Sequence, residues 1–140
     1  MKTLIRIVLL AVVFFTTATT CEKYDMDYFT VFNDCDEPIR VYEVPTDAED
    51  CLREHGTRIP LYENPKDILP GKAEYSYAVI SGDEDIYPSD KKQTAFLIVH
   101  QSTYEKYSPE EIASGKYDCF ISFSYNELKA IDFKVHYTGK

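Results

Sequence analysis

The feature that most constrains the fold is a run of six residues, Thr-Ala-Phe-Leu-Ile-Val, at positions 94–99. A continuous apolar run of this length is typical of a strand that is buried on both faces of its sheet. Its β-branched and aromatic residues also favour a strand over a helix. The sequence therefore predicts a central strand at residues 94–99.

Other segments show the pattern of strands with one buried face. The clearest lies near the C-terminus, where apolar and polar residues alternate along positions 131–137, as the two-residue period of a strand requires. We predict a mainly β fold, an antiparallel β-sandwich in which residues 28–32 and 39–44 form a hairpin. About seven short strands are predicted in all, at residues 28–32, 39–44, 59–62, 73–80, 94–99, 117–123 and 131–137.

Start and stop signals predict two or three short helical insertions. A Ser or Thr followed by Glu three residues later forms a capping box, in which each side chain accepts a hydrogen bond from the other residue's backbone amide. Gly56 suits the left-handed position that ends the first helix, and Pro70 with Gly71 predicts a type II turn. The predicted capping pairs are Thr46 with Glu49, Ser108 with Glu111, and Ser124 with Glu127.

Residues 1–21 carry the pattern of a secretory signal. Lys2 and Arg6 precede an apolar block at positions 7–15, which is followed by small residues and then Cys21, the order found in signal peptides. The block is about half of the ~20 residues that a membrane-spanning helix needs. A Cys directly after small residues indicates lipoprotein processing, in which Cys21 becomes the lipidated first residue.

The same pattern predicts the domain organisation and the location of the protein. We predict a signal peptide at residues 1–20, an acidic tether at 21–27 and one β-sandwich domain at 28–140. The mature chain would be held to the membrane by its lipid anchor on Cys21. The predicted location is the cell envelope, at the outer membrane, on either its periplasmic or its external side.

The charge of the mature chain argues against two kinds of partner. Removal of residues 1–20 takes away two basic residues and no acidic ones, which leaves 13 basic against 24 acidic residues and a net charge of −11. Nucleic-acid binding needs clustered Lys and Arg, so no nucleic-acid partner is predicted. Anionic lipid head groups would repel such a chain, so membrane attachment must come from the acyl chains.

The cysteines allow a disulfide and, less directly, a zinc site. If Cys21 is acylated, three cysteines remain, and the sequence does not determine which two pair. Cys35 and Cys119 both adjoin predicted strands and are therefore the favoured pair. Cys51 and His55 are four residues apart on the predicted helix and could share a zinc ion, but no C-x-x-C spacing supports this alternative, and no metal or other cofactor is predicted.

No catalytic constellation stands out. The nucleophile elbow Gly-x-Ser-x-Gly is absent from the sequence, and a Ser nucleophile also needs a base and an orienting acid. Cys119 and His136 could form a thiol–imidazole pair, but Cys119 shares a predicted strand face with apolar residues, which favours a buried or disulfide-bonded Cys. We predict that the protein is not an enzyme and that no residue is catalytic.

Tyrosine is the residue type best suited to ligand contact here. The chain has 12 Tyr and no Trp. Tyr stacks on sugars and anchors protein interfaces because its ring is apolar and its tip is polar, although the lack of Trp weakens the case for a glycan. Tyr87, Tyr104 and Tyr107 are the predicted ligand-contact aromatics.

A series of short motifs between residues 29 and 137 resembles a group of small uncharacterised lipoproteins of Bacteroides-type bacteria. In that group a Tyr-Ser-x-x-Glu-Ile helix start precedes a strand, and a Leu-Ser-x-x-x-Leu turn and a Trp-x-Ile-x-Tyr strand follow. Here the final strand has Phe133 in place of the Trp. The resemblance implies a cell-envelope lipoprotein with a β-rich domain, and it implies no reaction. The residues that carry it are Asn33, Ile39, Val41, Tyr42, Ile68, Pro70, Gly71, Phe96, Leu97, Ile98, Thr103, Glu105, Lys106, Tyr107, Ser108, Glu110, Glu111, Ile112, Phe123, Ser124, Glu127, Leu128, Phe133, Val135 and Tyr137.

These observations favour a lipid-anchored envelope protein that acts as a non-catalytic binding or structural module, with an envelope protein or a glycan as its partner. The alternative is a small hydrolase or metal-dependent enzyme that uses Cys or His. That alternative requires a concave site where at least two of these side chains converge, since catalytic groups must be in direct or one-water contact. The candidates are Cys51, His55, His100, Cys119 and His136.

Overall fold

A computed structural model describes residues 25–62, 64–81 and 87–139. The predicted signal peptide, Cys21 and the start of the tether lie outside the described residues. The strands are β1 (Asp25–Asn33), β2 (Ile39–Val44), β3 (Lys66–Ile68), β4 (Ala73–Ser81), β5 (Lys92–His100), β6 (Cys119–Ser124) and β7 (Lys134–Tyr137). The helices are α1 (Ala48–His55), α2 (Gln101–Tyr104), α3 (Pro109–Ala113) and α4 (Tyr125–Ala130).

The described strands form two sheets. Sheet A has the strand order β4-β1-β7, and sheet B has the order β3-β2-β5-β6. All pairs in sheet B are antiparallel, as is the β1–β4 pair, whereas β1 and β7 run parallel. The prediction of a mainly β, antiparallel sandwich with short helices is confirmed, and the parallel β1–β7 pair is the one departure among the described strand pairs.

The main core lies between the two sheets. Phe29 of sheet A stacks on Tyr77 at a ring-centroid distance of 5.4 Å, and Phe96 of sheet B contacts both rings edge-on at 5.5 and 4.7 Å. Offset and edge-on aromatic pairs add to the stabilisation from burial alone. Aliphatic side chains from both sheets surround them, including Val31, Ile39, Val41, Val79, Ile98 and Val135.

A second core covers the outer face of sheet B. Ala95, Leu97 and Val99 of β5 are fully buried there against side chains that include Ala48 of α1 and Ile112 of α3. The alternate residues of β5 point into the main core, so this strand is buried on both faces. The prediction of a central strand at residues 94–99 is confirmed.

The predicted hairpin of residues 28–32 and 39–44 is wrong, because β1 and β2 belong to different sheets. The reason is the turn at Asn33, which is fully buried. Its side-chain amide donates to the backbone oxygens of Glu37 and Ile68 at 2.9 and 2.8 Å, and its side-chain oxygen accepts from the amide of Cys35 at 2.9 Å. An Asn side chain that bonds its own backbone two residues on redirects the chain, here from sheet A to sheet B.

The predicted edge strand at residues 59–62 is also wrong. Ile59 is buried, and its backbone amide donates to the carbonyl of Ala113 at 2.9 Å, so this segment packs beside α3 instead of joining a sheet. The edge position beside β2 is taken by Lys66–Ile68. Arg40 of β2 forms a two-pronged salt bridge with Asp67 there, at 2.7 and 2.9 Å.

Several predicted boundaries and one predicted cap differ from the structure. β1 begins at Asp25, inside the predicted tether, because the backbone of residues 25–27 pairs with residues 79–81 of β4. The first helix begins after Asp47 and has no side-chain cap, so the predicted Thr46–Glu49 capping box is not formed. The last strand is shortened because Asp132 and Phe133 adopt positive φ angles of 53° and 55°.

Other local predictions are confirmed. Ser108 with Glu111 and Ser124 with Glu127 form complete capping boxes at the starts of α3 and α4. Gly56 is left-handed at the end of α1. Gly71 has a φ of 69°, and the amide of Lys72 donates to the carbonyl of Leu69, as a type II turn with Gly at its third position requires.

Candidate functional site

The outer face of sheet A differs from the outer face of sheet B because none of its described outward side chains is buried. Met26 and Tyr28 on β1 are 49% and 65% exposed. We call this surface the open face, and it consists of Met26, Tyr28, Thr30, Phe32, Ala78, Ile80, Lys134 and His136. Contiguous exposed apolar residues usually mark a surface that binds a partner, whereas single ones are ordinary.

An aromatic pair lies at the far end of the open face. The rings of Phe32 and His136 stack at a centroid distance of 4.5 Å with an interplanar angle of 6°. The carboxylate of Asp34 accepts from Nδ1 of His136 at 2.8 Å, which fixes the imidazole orientation. The result is a stacked ring pair in which Phe32 is half-buried and His136 is exposed.

A groove runs along the β4 edge of the open face. It has a volume of about 540 Å³ and includes Met26 and Ile80 of the open face on one side and Tyr87, Pro88 and Lys91 on the other. We call it the edge groove. Of the predicted ligand-contact aromatics, Tyr87 is the one that lines it.

Gln93 holds the two walls of the edge groove together. A register shift between Lys92 and Thr94 sets Gln93 apart from the β5–β6 ladder, as in a β-bulge. Its side-chain oxygen accepts from the amide of Ile80 at 3.2 Å, and its side-chain nitrogen donates to the carbonyl of Tyr87 at 3.5 Å. The bulged residue therefore caps the edge of β4 and positions the segment that carries Tyr87.

The side-chain network that most resembles a catalytic site lies away from the open face, where the two sheets meet. His100 Nδ1 is 3.0 Å from a carboxylate oxygen of Glu37, and its Nε2 is 3.0 Å from the hydroxyl of Tyr137. Because a carboxylate can only accept, Nδ1 donates to Glu37, and Nε2 is hydrogen-bonded to the hydroxyl of Tyr137. Tyr137 is 5% exposed, and burial raises the pKa of its hydroxyl above the usual range. Such a phenol is a poor nucleophile. We therefore assign the network of His100, Glu37 and Tyr137 a structural role, since it joins β7 to β5 and to the β1–β2 turn.

The predicted disulfide between Cys35 and Cys119 is not present, since Cys35, Cys51 and Cys119 are all free thiols. Cys35 instead donates to the backbone oxygen of Tyr137 at 3.5 Å. Burial, with the nearby charges of Asp36, Glu37 and Asp34, raises the pKa of the Cys35 thiol, and burial with the Glu49 and Asp118 charges does the same for Cys119. Nucleophilic cysteines need a lowered pKa, so neither thiol is activated.

The other candidate Cys and His residues lie apart. Cys51 and His55 are on α1, outside sheet B, while His136 is on the open face outside sheet A. His100 and Cys119 each neighbour Tyr137. Within residues 25–62, 64–81 and 87–139, no group of three or more His, Cys, Asp or Glu side chains is placed to hold a metal ion. The geometry of these residues gives the hydrolase alternative no support.

Tyr104 and Tyr107 lie on the covered side of the molecule. The guanidinium of Arg40 lies 4.2 Å from the ring centre of Tyr104, so one face of that ring is occupied. The ammonium groups of Lys106 and Lys116 lie 4.9 and 5.8 Å from the ring centre of Tyr107. Both rings also pack against the second core, and their role as ligand contacts stays a prediction.

Sequence reasoning missed the residues that shape the open face. Phe32 and His136 are more than 100 positions apart, and the parallel pairing of β1 with β7 brings them together. Their stacking leaves no local signal in the sequence. Gln93 had one signal, a polar residue directly before the apolar run at 94–99.

Comparison of the chain with models of protein families, with curated proteins and with solved structures yields no match. In the part of the chain that the structure describes, no helix has the length and apolar character needed to cross a bilayer.

Proposed function

We propose that the protein is a lipid-anchored, non-catalytic binding module of the cell envelope that meets its partner through the open face. The anchor is supported by the sequence, in which Cys21 directly follows a basic, apolar and small-residue series. Such a series directs export. The acyl chains then hold an acidic protein at a surface to which its own charge gives it no affinity.

The observation that carries the binding proposal is the contrast between the two outer faces. Sheet B has its outer face buried under a second core, whereas sheet A presents the exposed side chains of Met26 and Tyr28 and the half-buried ring of Phe32. Aromatic rings with little conformational entropy to lose are good anchors for protein and sugar partners. The Phe32–His136 stack and Tyr28 are the residues best placed to contact such a partner.

The anchor is tested by the substitution Cys21→Ser, with Cys51→Ser as the matched control. We expect the Cys21→Ser protein to move from the membrane fraction to the soluble fraction, because the acylated sulfur is lost. The Cys51→Ser protein should stay with the membranes. Membrane retention of the Cys21→Ser protein would contradict lipid anchoring at this residue.

The binding surface is tested by placing a photo-crosslinking residue on either side of the sandwich. Lys134 on the open face is compared with Glu54 on α1, since both side chains are exposed. We expect a discrete crosslinked species from position 134 in intact cells and none from position 54. Its sensitivity to protease would distinguish a protein partner from a glycan, and equal crosslinking from both positions would exclude the open face as a specific surface.

A further inference from the structure

The distance between the predicted lipid anchor and the domain is short. Asp25, where β1 begins, is the fourth residue after Cys21. An extended chain spans at most about 3.5 Å per residue, so the start of β1 lies within about 14 Å of the lipidated residue. This step rests on the lipid anchor proposed above. It leaves the domain little freedom to move away from the membrane surface.

The corner of the domain that this tether reaches has the chemistry of a membrane interface. Met26, the second residue of β1, is 49% exposed and lies opposite Ile80 in the β1–β4 ladder. Tyr87, Pro88 and the exposed Lys91 form the other wall of the edge groove. Apolar side chains beside Tyr and Lys are suited to the boundary between head groups and acyl chains, where each group finds its preferred surroundings.

We propose that the rim of the edge groove, formed by Met26, Ile80, Tyr87, Pro88 and Lys91, rests on the head-group region of a zwitterionic bilayer. The predicted mature charge of −11 and Glu43, which also lines the edge groove, oppose contact with an anionic surface. A zwitterionic head group offers both a phosphate for Lys91 and an ammonium for acidic side chains. The tether keeps the rim close to the bilayer, and contact through the rim sets the orientation of the domain on it.

This contact sets the direction in which the partner-binding residues point. β1 has nine residues, and at about 3.3 Å per residue its far end lies about 26 Å from its start. The Phe32–His136 stack is at that far end. With the rim on the bilayer, the stack and the β1–β2 turn are held away from the membrane, where an envelope partner can reach them.

The absence of Trp from the chain allows a direct test with the full lipidated protein. Met26→Trp places a single fluorophore on the rim, and Ile131→Trp is the matched control, since Ile131 is 41% exposed beside β7, the opposite edge of sheet A. Each protein is reconstituted in phosphatidylcholine vesicles with and without brominated acyl chains. Because interfacial side chains insert roughly 5–10 Å into the head-group boundary, we expect bromine to quench about half of the emission of the Met26→Trp protein. The emission of the Ile131→Trp protein should stay unchanged.

Flotation of the same vesicles separates failure of this inference from failure of the anchor. If the protein floats with the vesicles while both variants are quenched equally, or neither is quenched, the rim contact is overturned and the anchor stays intact. Protein that fails to float overturns the anchor and this inference with it. Lys91→Trp provides a second rim position that needs no change on β1, and we expect its emission to be quenched as strongly as that of Met26→Trp.

Discussion

The outer faces of the two sheets differ in whether other parts of the described chain cover their side chains. On sheet B the outward side chains of β5 are buried beneath α1 and α3, whereas on sheet A no described outward side chain is buried. The sequence reflects this difference, since β5 is a continuous apolar run and β7 alternates as Lys-Val-His-Tyr. A continuous run thus indicates a covered face and an alternating run an open one.

β1 is the exception to this rule. Its outward positions include Met26, Tyr28 and Phe32, where alternation would place polar residues. Met26 and Tyr28 are 49% and 65% exposed, and contiguous exposed apolar side chains of this kind commonly mark an interaction surface. The binding surface and the membrane contact proposed above both depend on this departure from the pattern.

The largest expected effect comes from comparing a truncation on each face in the Cys21→Ser protein. Leu97→Ala empties a fully buried position and should lower the free energy of unfolding by about 2–5 kcal/mol. Tyr28→Ala on the open face should change it by less than about 0.5 kcal/mol, as exposed substitutions do. Urea unfolding measures both. A large loss for Tyr28→Ala would show that the open face is covered in the folded chain.

A smaller effect is expected in the layer that covers sheet B. Ser108→Ala removes the side chain that caps α3 and should cost about 1 kcal/mol of unfolding free energy. Thr46→Ala at the start of α1 is the matched control, because no side-chain cap is formed there, and it should cost less than about 0.5 kcal/mol. Thermal unfolding of both proteins checks this pair, and equal losses would mean that the cap does not stabilise the covering layer.

The smallest effect concerns the hydrogen-bond network of His100, Glu37 and Tyr137. This network lies between the sheets and belongs to neither outer face. The hydrogen bond from the Ser102 amide, with His100 nearby, lowers the pKa of Glu37 below its usual value of 4.5. The stabilisation is therefore present above pH 4.5 and is lost as the pH falls through the lowered pKa of the folded state. We expect Glu37→Gln to reduce the loss of unfolding free energy between about pH 5 and pH 3. The uncharged control Met26→Ala should show the same dependence of stability on pH as the parent protein. If Glu37→Gln left the dependence of stability on pH unchanged, Glu37 would not contribute to stability in this pH range.

Much of the local structure that depends on neighbouring residues was predictable, although the Thr46–Glu49 capping box was not formed. The strand at 39–44 matches its prediction, and the Ser108 and Ser124 caps and the Gly56 and Gly71 turns depend on residues only a few positions apart. β3 was missed because Lys-Asp-Ile has no strand pattern. It pairs with β2 through contacts distant in sequence, with Ile68 buried opposite Ile39 and Asp67 bridged to Arg40.

Strand partners were not predictable, because pairing depends on the whole chain. The Asn33 turn separates two segments that look like a hairpin, and it does so through a hydrogen bond to Ile68 that is 35 residues away. The candidate site shows the same limit. Tyr87 was predicted as a contact residue and lines the edge groove, but the groove itself requires Gln93 to join two sheets, which a linear pattern does not reveal.

The parallel pairing of β1 with β7 also fixes when the protein can fold. β1 is synthesised first of the two, and its neighbour β7, whose Lys134 pairs with Thr30, follows more than 100 positions later. Until then the central strand of sheet A has one bare edge, and the contacts that close it span nearly the whole domain, which makes folding slow. If the chain is exported as we propose, sheet A can be completed only after β7 has crossed the membrane as well.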